Sequence, residues 1–196
     1  LQAIATMPFP VDAQRIFHSK EERFPSCEHL SLDAYPPVLV LTSFAELDEA
    51  SIAAVQTALQ QRWSEIAPSD QPFNFLLQTR GPGAQIETRL MAGSVPEQHI
   101  VTESGARYLV NLQRGQNLGL FLDMAAGRAW VRGQIEGHPR GERTKVLNLF
   151  AYTCSFSVVA KLAGAGQVLN MDMSKGALVT GQHNHQLNGV KAGASF

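Results

Sequence analysis

The sequence predicts an α/β chain in which a small α+β domain precedes part of a nucleotide-binding parallel sheet. Two patterns carry this prediction. Residues 37–115 read as strand, helix and four further strands, an order typical of a small mixed domain with antiparallel pairing. Val146–Ser174 reads as strand, turn, helix, strand and acid, which is half of a doubly wound sheet. We therefore predict domains at 37–115 and 116–196, after a lead-in over 1–36.

The lead-in and the start of the first domain differ in their hydrophobic pattern. Residues 1–36 have no clear period and contain several prolines, so we expect irregular structure with one short helix near Asp12–His18. The apolar run Val38–Ser43 predicts a strand. Glu49–Ile66 has apolar residues at near-helical spacing and is stopped by Pro68, which predicts a helix.

The rest of the first domain is predicted to be β structure. Alternating or apolar runs, separated by turn residues, predict strands at Phe73–Thr79, 85–91, 97–103 and Tyr108–Leu112. Ser104-Gly105 is expected to form the turn of the last hairpin. The domain boundary is expected near Arg114–Gly119.

The second domain contains the stretch that suggests a ligand. Val146–Phe150 is an apolar run of the kind found in buried parallel strands, and a helix is predicted over Ser155–Ala163. A second run, Gln167–Met171, ends on Asp172. An acid about 20 residues after the first turn is where such folds bind a ribose hydroxyl pair. The alternative, that Asp172 ends a strand for reasons unrelated to a ligand, stays open at this point.

The glycine pattern narrows the class of cofactor. No G-x-G-x-x-G follows the first strand, and Gly164 and Gly166 come after the helix, where they end it. A dinucleotide-dependent oxidoreductase is therefore disfavoured. A cofactor with an adenosine ribose and no pyrophosphate fits better.

Several short elements agree, in chain order, with one known family. They are Gly119-Leu120-Phe121-Leu122-Asp123, Asn148–Thr153, Phe156, Gly164-Ala165, Asp172–Ser174 and Asn184–Gly189. Together they resemble the class I S-adenosylmethionine-dependent methyltransferases, and within them the group acting on bases of bacterial large-subunit ribosomal RNA. The likeness covers roughly Thr79 to Gly189. It implies an incomplete Rossmann-like (class I methyltransferase) sheet over 116–196, S-adenosylmethionine as cofactor, an RNA base as methyl acceptor, and a preceding small domain that helps to grip RNA.

The same resemblance implies a set of cofactor-binding residues. Asp172 would hold the ribose hydroxyls, with Met173 and Ser174 beside the adenine. The turn after the first strand would run under the methionine moiety, its amides facing the cofactor carboxylate. Phe121 and Asp123 would close the other side, Asp123 near the amino group. The remaining members are Asn148, Phe150, Ala151, Tyr152, Thr153 and Cys154.

Three of these assignments have structural alternatives. Phe121 is equally explained as a core residue, Asp123 as a helix N-cap before Ala125, and Tyr152 as a packed aromatic. No catalytic residue is assigned in this chain.

Cys154 departs from the family pattern, which usually has glycine after Tyr-Thr. A side chain at this position is expected to crowd the methionine end or to weaken binding. It therefore suggests an alternative function, a non-catalytic RNA-binding protein with a degenerate methyltransferase fold. Asp172 and Thr153 argue against that alternative. A role for Cys154 as covalent nucleophile is disfavoured because it lies in the cofactor turn.

The charges are unevenly distributed along a chain whose net charge is −1. Up to residue 70 there are ten acids and four bases, and from 71 onward seven acids and twelve bases, so the second part is net positive. A positive face suits a polyanion such as RNA. The alternative is that these bases are solvated surface charges. The bases in question are Arg107, Arg114, Arg128, Arg132, Arg140, Arg143 and Lys145.

Composition disfavours several other classes. The apolar runs are shorter than a membrane span, and no stretch has the pattern of a signal peptide. Two cysteines form no disulfide framework, so we expect a cytoplasmic protein. His183 and His185, two residues apart on a predicted helix, lack companions for a metal site and are expected at the surface.

The predicted parallel sheet is short. After Asp172 the sequence predicts a helix over Gly176–Leu187 and only the start of a third strand at Ala194–Phe196. The family has an Asn/Asp-Pro-Pro element that holds the target base, and the only Pro-Pro here is Pro36-Pro37. We therefore expect this chain to be an N-terminal portion of a longer enzyme, and not competent for catalysis by itself.

Overall fold

A computed structural model describes residues 1–18, 27–81, 86–113, 115 and 117–196. Residue 85 of the strand predicted at 85–91, and Arg114, lie outside the described residues. The chain divides into two compact units. The first comprises Leu1–Glu97 and Leu112–Gln116, and the second Gln98–Asn111 and Asn117–Phe196. Each unit combines helices with a sheet, which confirms the predicted α/β class.

The first unit is built on a five-stranded sheet in the order β1-β2-β3-β4-β5. All neighbours are antiparallel except β3 and β4, which are parallel and joined through helix α2. A short helix, α1, precedes the sheet. The bounds are α1 Gln2–Thr6, β1 Gln14–His18, β2 Leu30–Tyr35, β3 Val38–Ser43, α2 Glu49–Ile66, β4 Asn74–Thr79 and β5 Glu87–Ala92.

Helix α2 has the bounds that its apolar spacing predicts. Asp48 caps its start, accepting a hydrogen bond from the Ser51 amide at 2.8 Å. Its buried face, which includes Leu59 and Trp63, packs on alternate residues of β3 and β4 such as Leu41 and Phe75. Neither α2 nor any other helix in the described ranges is long and apolar enough to cross a membrane.

The lead-in is more regular than the sequence predicts. The helix expected near Asp12–His18 is wrong, because Gln14–His18 forms β1 and pairs antiparallel with β2. Likewise 1–36, expected to be irregular, contains α1, β1 and β2. The pairing is supported by an ion pair of 2.9 Å between Arg15 Nε and Asp33 Oδ1. Such a partner 18 residues away leaves no local pattern in the sequence.

The second unit combines a hairpin with a three-stranded parallel sheet in the order β10-β9-β8. The hairpin falls within 37–115, the range predicted as the first domain, so that range contributes to both units. The bounds are β6 His99–Glu103, β7 Ala106–Val110, α3 Ala125–Glu136, β8 Lys145–Leu149, α4 Ser155–Leu162, β9 Gln167–Met171, α5 Lys175–Leu187 and β10 Ala194–Ser195. Short 3-10 helices lie at Leu122–Met124 and Gly141–Arg143.

The two faces of the parallel sheet differ in burial. On one face Val168 packs against Ala160 of α4 and against apolar residues of α3. The same face carries a row of amides, in which Asn148 Nδ2 donates to Asn170 Oδ1 at 2.9 Å and Asn170 Nδ2 donates to the Ser195 carbonyl at 3.1 Å. The opposite face is exposed. Its apolar residues are Leu147, Leu149, Leu169 and Met171.

Candidate cofactor site

The turn between β8 and α4 has an unusual backbone. Phe150, Tyr152 and Cys154 have φ values of 53°, 47° and 62°, so every second residue is left-handed. This conformation costs a residue other than glycine roughly 1–2 kcal/mol. Three such residues within five positions persist only when the surroundings hold them, a situation that is most common at functional sites.

The turn is fixed from the side of β9. The Ala151 amide donates to the Met171 carbonyl at 3.0 Å, and the Tyr152 amide donates to Asp172 Oδ2 at 2.8 Å. Within the turn, the Cys154 amide donates to the Ala151 carbonyl at 2.7 Å. The carboxylate that ends β9 is therefore bonded directly to the turn that follows β8, as expected at the carboxyl edge of parallel strands.

The segment before α3 lies against the other side of the turn. Thr153 Oγ1 donates to the Gly119 carbonyl at 2.6 Å, and the rings of Phe121 and Tyr152 are 4.9 Å apart. Gly119 has a φ of 107°, and a Cβ there would lie 2.9 Å from the Leu109 carbonyl oxygen. Glycine is thus required for this close approach. The segments predicted to enclose the methionine moiety are neighbours in space.

Asp172 is held as an ionised carboxylate. Oδ1 accepts a hydrogen bond from the Ser174 amide at 2.8 Å. The amides of Ser174 and Tyr152 together lower the pKa of Asp172. A carboxylate oxygen can accept two hydrogen bonds, and each oxygen of Asp172 accepts one from these amides, so both can still accept a bond from a hydroxyl group. Ser174 begins α5, where its hydroxyl accepts from the Ala177 amide at 3.2 Å.

The remaining predicted residues around Asp172 have different environments. Met173 is fully exposed and Phe150 is 90% exposed. Both line an open groove of about 560 Å³ at the carboxyl ends of β8 and β9, together with Asp172. Ala151 is buried. The side chain of Asn148 points to the covered face of the sheet, where Asn170 engages it.

Phe121 and Asp123 are both exposed, and the structural alternatives for them receive no support. Phe121 is 44% exposed, so it is not a core residue. The N-cap of α3 is Met124, with no side-chain capping bond, so Asp123 does not cap this helix. Among the described residues, Asp123 has no hydrogen-bond partner. Tyr152 is partly buried against Phe121, and burial raises its pKa.

Cys154 points away from the exposed side of the turn. Its side chain is fully buried, and a Cβ on Gly181 of α5 would lie 2.3 Å from its Sγ. The sulfur therefore occupies space that Gly181 leaves free. Burial, and secondarily the charge of Asp172, raise the pKa of the thiol to about 12. A thiol that is neutral at physiological pH is a poor nucleophile, so the structure gives no support to covalent attack by Cys154.

An ion pair behind the site was not identified from the sequence. Arg128 of α3, placed among the basic surface residues, is 1% exposed and binds Glu103 of β6 at 2.6 and 2.7 Å. Its Nη2 also donates to the Phe121 carbonyl at 2.8 Å. Arg128 is therefore a buried support of the segment carrying Phe121. Its partner lies 25 residues away, so no spacing rule indicates the pair.

The two histidines of α5 behave differently. His183 is exposed, but the prediction of a surface position is wrong for His185, which is fully buried. His185 Nδ1 lies 2.8 Å from the Gly181 carbonyl, and Nε2 lies 3.3 Å from Ser157 Oγ. Burial lowers the pKa of His185. Within the described ranges, no three His, Cys, Asp or Glu side chains form a group suited to a metal ion.

Comparisons with known sequences identify the family of this chain. The profile of the family described as S-adenosylmethionine-dependent methyltransferase matches residues 14–196. Ribosomal RNA large subunit methyltransferase I of Serratia proteamaculans is 31% identical over 180 residues, covering 91% of this chain and 42% of that protein. Ribosomal RNA large subunit methyltransferase K/L of a Psychrobacter species is 36% identical over 160 residues, covering 78% of this chain and 19% of that protein. The chain thus spans less than half the length of these relatives.

Solved structures share the fold. SMU.776, crystallised with S-adenosylhomocysteine (SAH), superposes with a TM-score of 0.70 at 21% identity, covering 94% of this chain and 44% of that one. An S-adenosylmethionine-dependent methyltransferase from Agrobacterium tumefaciens gives 0.62 at 22% identity, with 85% and 48% covered. The complex of aTrm5 with tRNALeu gives 0.55 at 18% identity, with 80% and 43% covered. The profile match over most of its length shows that the chain belongs to the S-adenosylmethionine-dependent methyltransferase family.

Proposed function

We propose that this chain supplies the cofactor-binding part of a methyltransferase that modifies a base of ribosomal RNA. The observation that carries the proposal is the bond between the Tyr152 amide and Asp172 Oδ2, at 2.8 Å. It joins a left-handed turn and an ionised carboxylate at the carboxyl edge of two parallel strands. This is the place where open α/β sheets bind nucleotide cofactors.

The residues present fit S-adenosylmethionine. Asp172 retains acceptor capacity on both oxygens for the ribose hydroxyls. The first amides of α4 have no acceptor within the helix, so they suit the cofactor carboxylate. Asp123 is an exposed carboxylate on the neighbouring segment, suited to the cofactor ammonium. At the end of the groove beside Met173, Leu178 supplies an apolar surface that suits an adenine.

In this proposal the protein binds the cofactor and the RNA base and orients them for methyl transfer. When bound, the cofactor supplies a methyl group on a sulfonium leaving group. Transfer of that methyl needs the acceptor atom aligned behind it, and a base reaches such a position only when it leaves its stack. The chain has no Asn/Asp-Pro-Pro element, so we assign the residues that hold the base to another part of the enzyme.

We propose that this other part covers the open face of the parallel sheet. Leu147, Leu149 and Met171 are each more than half exposed, whereas parallel sheets are normally covered on both faces. Among the described strands, β8 is paired only with β9, so one of its edges is free for a further strand. The relatives are more than twice as long as this chain, which leaves ample sequence to complete the sheet.

Burial of the exposed sheet face by another part of the protein can be tested in the full-length enzyme. Leu147→Glu is expected to lower the free energy of unfolding by about 2–4 kcal/mol, because it would bury an unpaired charge. Val179→Glu on α5 is the matched control, since Val179 is 63% exposed and Leu147 58% exposed. Chemical denaturation of both variants gives the comparison. Equal, small effects would show that the face stays open.

We assign RNA as the substrate and the cytoplasm as the location. The relatives named above are ribosomal RNA methyltransferases. Of the seven bases singled out in the sequence, four are exposed and suit phosphate contacts, namely Arg107, Arg140, Arg143 and Lys145. In this proposal the domain at 37–115 helps to bind RNA, and the domain at 116–196 binds the cofactor.

The experiment that tests this function is calorimetric titration of the full-length enzyme with SAH. Asp172→Asn removes the charged acceptor while keeping the shape, and is expected to weaken binding about tenfold to a hundredfold. Asp70→Asn, the same substitution at an exposed position of the first unit, should bind like the wild type. Transfer of labelled methyl from S-adenosylmethionine to ribosomal RNA completes the test. A folded wild type that binds no SAH would refute the proposal.

The alternative of a non-catalytic RNA-binding protein with a degenerate fold depends on Cys154. In that alternative, the Cys154 side chain would crowd the methionine end of the cofactor. Because the sulfur packs against Gly181 of α5, it does not enter the exposed side of the turn. The alternative therefore loses its main support, and no other feature of the described residues favours it.

A further inference from the structure

We infer that Asn184 is a positioning residue for the cofactor, because it fixes the orientation of the peptide group joining Thr153 to Cys154. Asn184 lies on α5 and is fully buried. Its Nδ2 donates to the Thr153 carbonyl at 2.9 Å, and its Oδ1 accepts from the Leu109 amide of β7 at 2.9 Å. One amide group thus holds both the cofactor turn and the hairpin. The inference rests on the proposed function, which assigns this turn to the cofactor.

The peptide needs such a support because Cys154 is left-handed, with a φ of 62°. Rotating the 153–154 peptide plane by about 180° would bring this φ to a negative value, which a residue other than glycine prefers. The rotation would also break the bond from the Cys154 amide to the Ala151 carbonyl. The bond from Asn184 opposes it by retaining the Thr153 carbonyl in the interior.

The orientation of this peptide matters for the cofactor. Because the Thr153 carbonyl is turned toward Asn184 of α5, it does not compete with the free amide donors at the start of α4. In the rotated form, a carbonyl oxygen would stand among these donors and would repel the carboxylate. Asn184 therefore acts through the turn, without itself touching the cofactor.

Asn188, one helical turn later, allows the two tasks of Asn184 to be separated. Its Oδ1 accepts from the Arg107 amide at 2.8 Å, and its Nδ2 donates to the Arg107 carbonyl at 2.7 Å. Asn188 thus fastens β7 to α5 as Asn184 does, but it makes no bond to the turn. A variant of Asn188 therefore measures how much the contact between the hairpin and α5 alone contributes to SAH binding.

The test is titration of the full-length enzyme with SAH in Asn184→Asp and Asn188→Asp. Each change replaces the donating NH2 by an oxygen of the same size. Asn184→Asp is expected to weaken binding about tenfold, since a carboxylate oxygen would face the Thr153 carbonyl. Asn188→Asp is expected to stay within about twofold of the wild type. Equal weakening in both variants would overturn the inference.

A rescue by Cys154→Gly tests the peptide rotation itself. Glycine at 154 removes the preference for a negative φ, so Asn184→Asp combined with Cys154→Gly should recover about fivefold of the lost affinity. Cys154→Gly alone is measured alongside, so that the effect of the glycine itself on SAH binding can be subtracted from the recovery. Failure to recover any affinity in the double variant would contradict this mechanism.

Hydrogen exchange separates this inference from the proposed function. The Cys154 amide is bonded to the Ala151 carbonyl only in the observed orientation. Its exchange should be faster in Asn184→Asp and unchanged in Asn188→Asp, with or without cofactor. If the wild type binds no SAH, the proposed function fails, yet this exchange comparison still decides the role of Asn184. Unchanged exchange in Asn184→Asp would overturn it.

Discussion

Arg128→Leu is expected to lower the free energy of unfolding by about 3–5 kcal/mol, because it leaves the Glu103 carboxylate buried without its partner. Arg128 is 1% exposed and Glu103 8% exposed, so water replaces few of the lost bonds. The Phe121 carbonyl also loses the donor that holds it at 2.8 Å. Urea denaturation measures the change. SAH titration should show weaker binding as well, since Phe121 packs on Tyr152 of the turn.

Two further variants make this prediction specific. Arg132→Leu, one turn later on α3, removes a partly exposed arginine whose bond is to the Ser104 carbonyl, and should cost less than about 1 kcal/mol. The double variant Arg128→Leu with Glu103→Leu should recover much of the lost stability, because no buried charge remains. A small effect of Arg128→Leu, equal to that of Arg132→Leu, would contradict the importance of this buried pair.

Gly181→Ala is expected to destabilise the protein by about 1–3 kcal/mol through overpacking. The added methyl group would lie 2.3 Å from Cys154 Sγ and 2.9 Å from its Cβ, far inside van der Waals contact. Either α5 or the turn must move to relieve the overlap. Because the turn carries the proposed cofactor amides, SAH affinity should fall together with the melting temperature.

Cys154→Gly should suppress the effect of Gly181→Ala. It removes the two side-chain atoms that the new methyl group would overlap, and it places glycine at a left-handed position. The double variant should therefore be more stable than Gly181→Ala alone. Gly133→Ala on α3 is the control, since a Cβ at Gly133 meets nothing within 4 Å. Loss of stability that persists in the double variant would show that Gly181 is needed for another reason.

The predictions that succeeded depend on local patterns. The strand Gln167–Met171 and the helix Glu49–Ile66 have the bounds expected from apolar spacing and terminating residues. The placement of Asp172 beside the turn follows from strand direction, because carboxyl ends of parallel strands share one edge.

The predictions that failed depend on partners distant in the sequence. Gln14–His18 is a strand because β2 pairs with it, although its own pattern suggested a helix. Arg128 is buried because Glu103 neutralises it, and His185 is buried between α5 and its neighbours. The accommodation of Cys154 by Gly181 likewise involves residues on different elements. Composition and periodicity carry no information on such pairs.

The amide row across the parallel sheet has a consequence for the accuracy of the site. Asn148 is in register with Asn170, and this pairing also sets Asp172 level with the turn that follows β8. A slip of one residue would shift β9 by about 3.3 Å and turn its polar side chains to the opposite face. The Asn148 amide would then face an apolar side chain, and the Asp172 carboxylate would miss the Tyr152 amide. The row of amides thus fixes the alignment of the two strands, so that only a correctly registered sheet assembles the turn that is proposed to bind the cofactor.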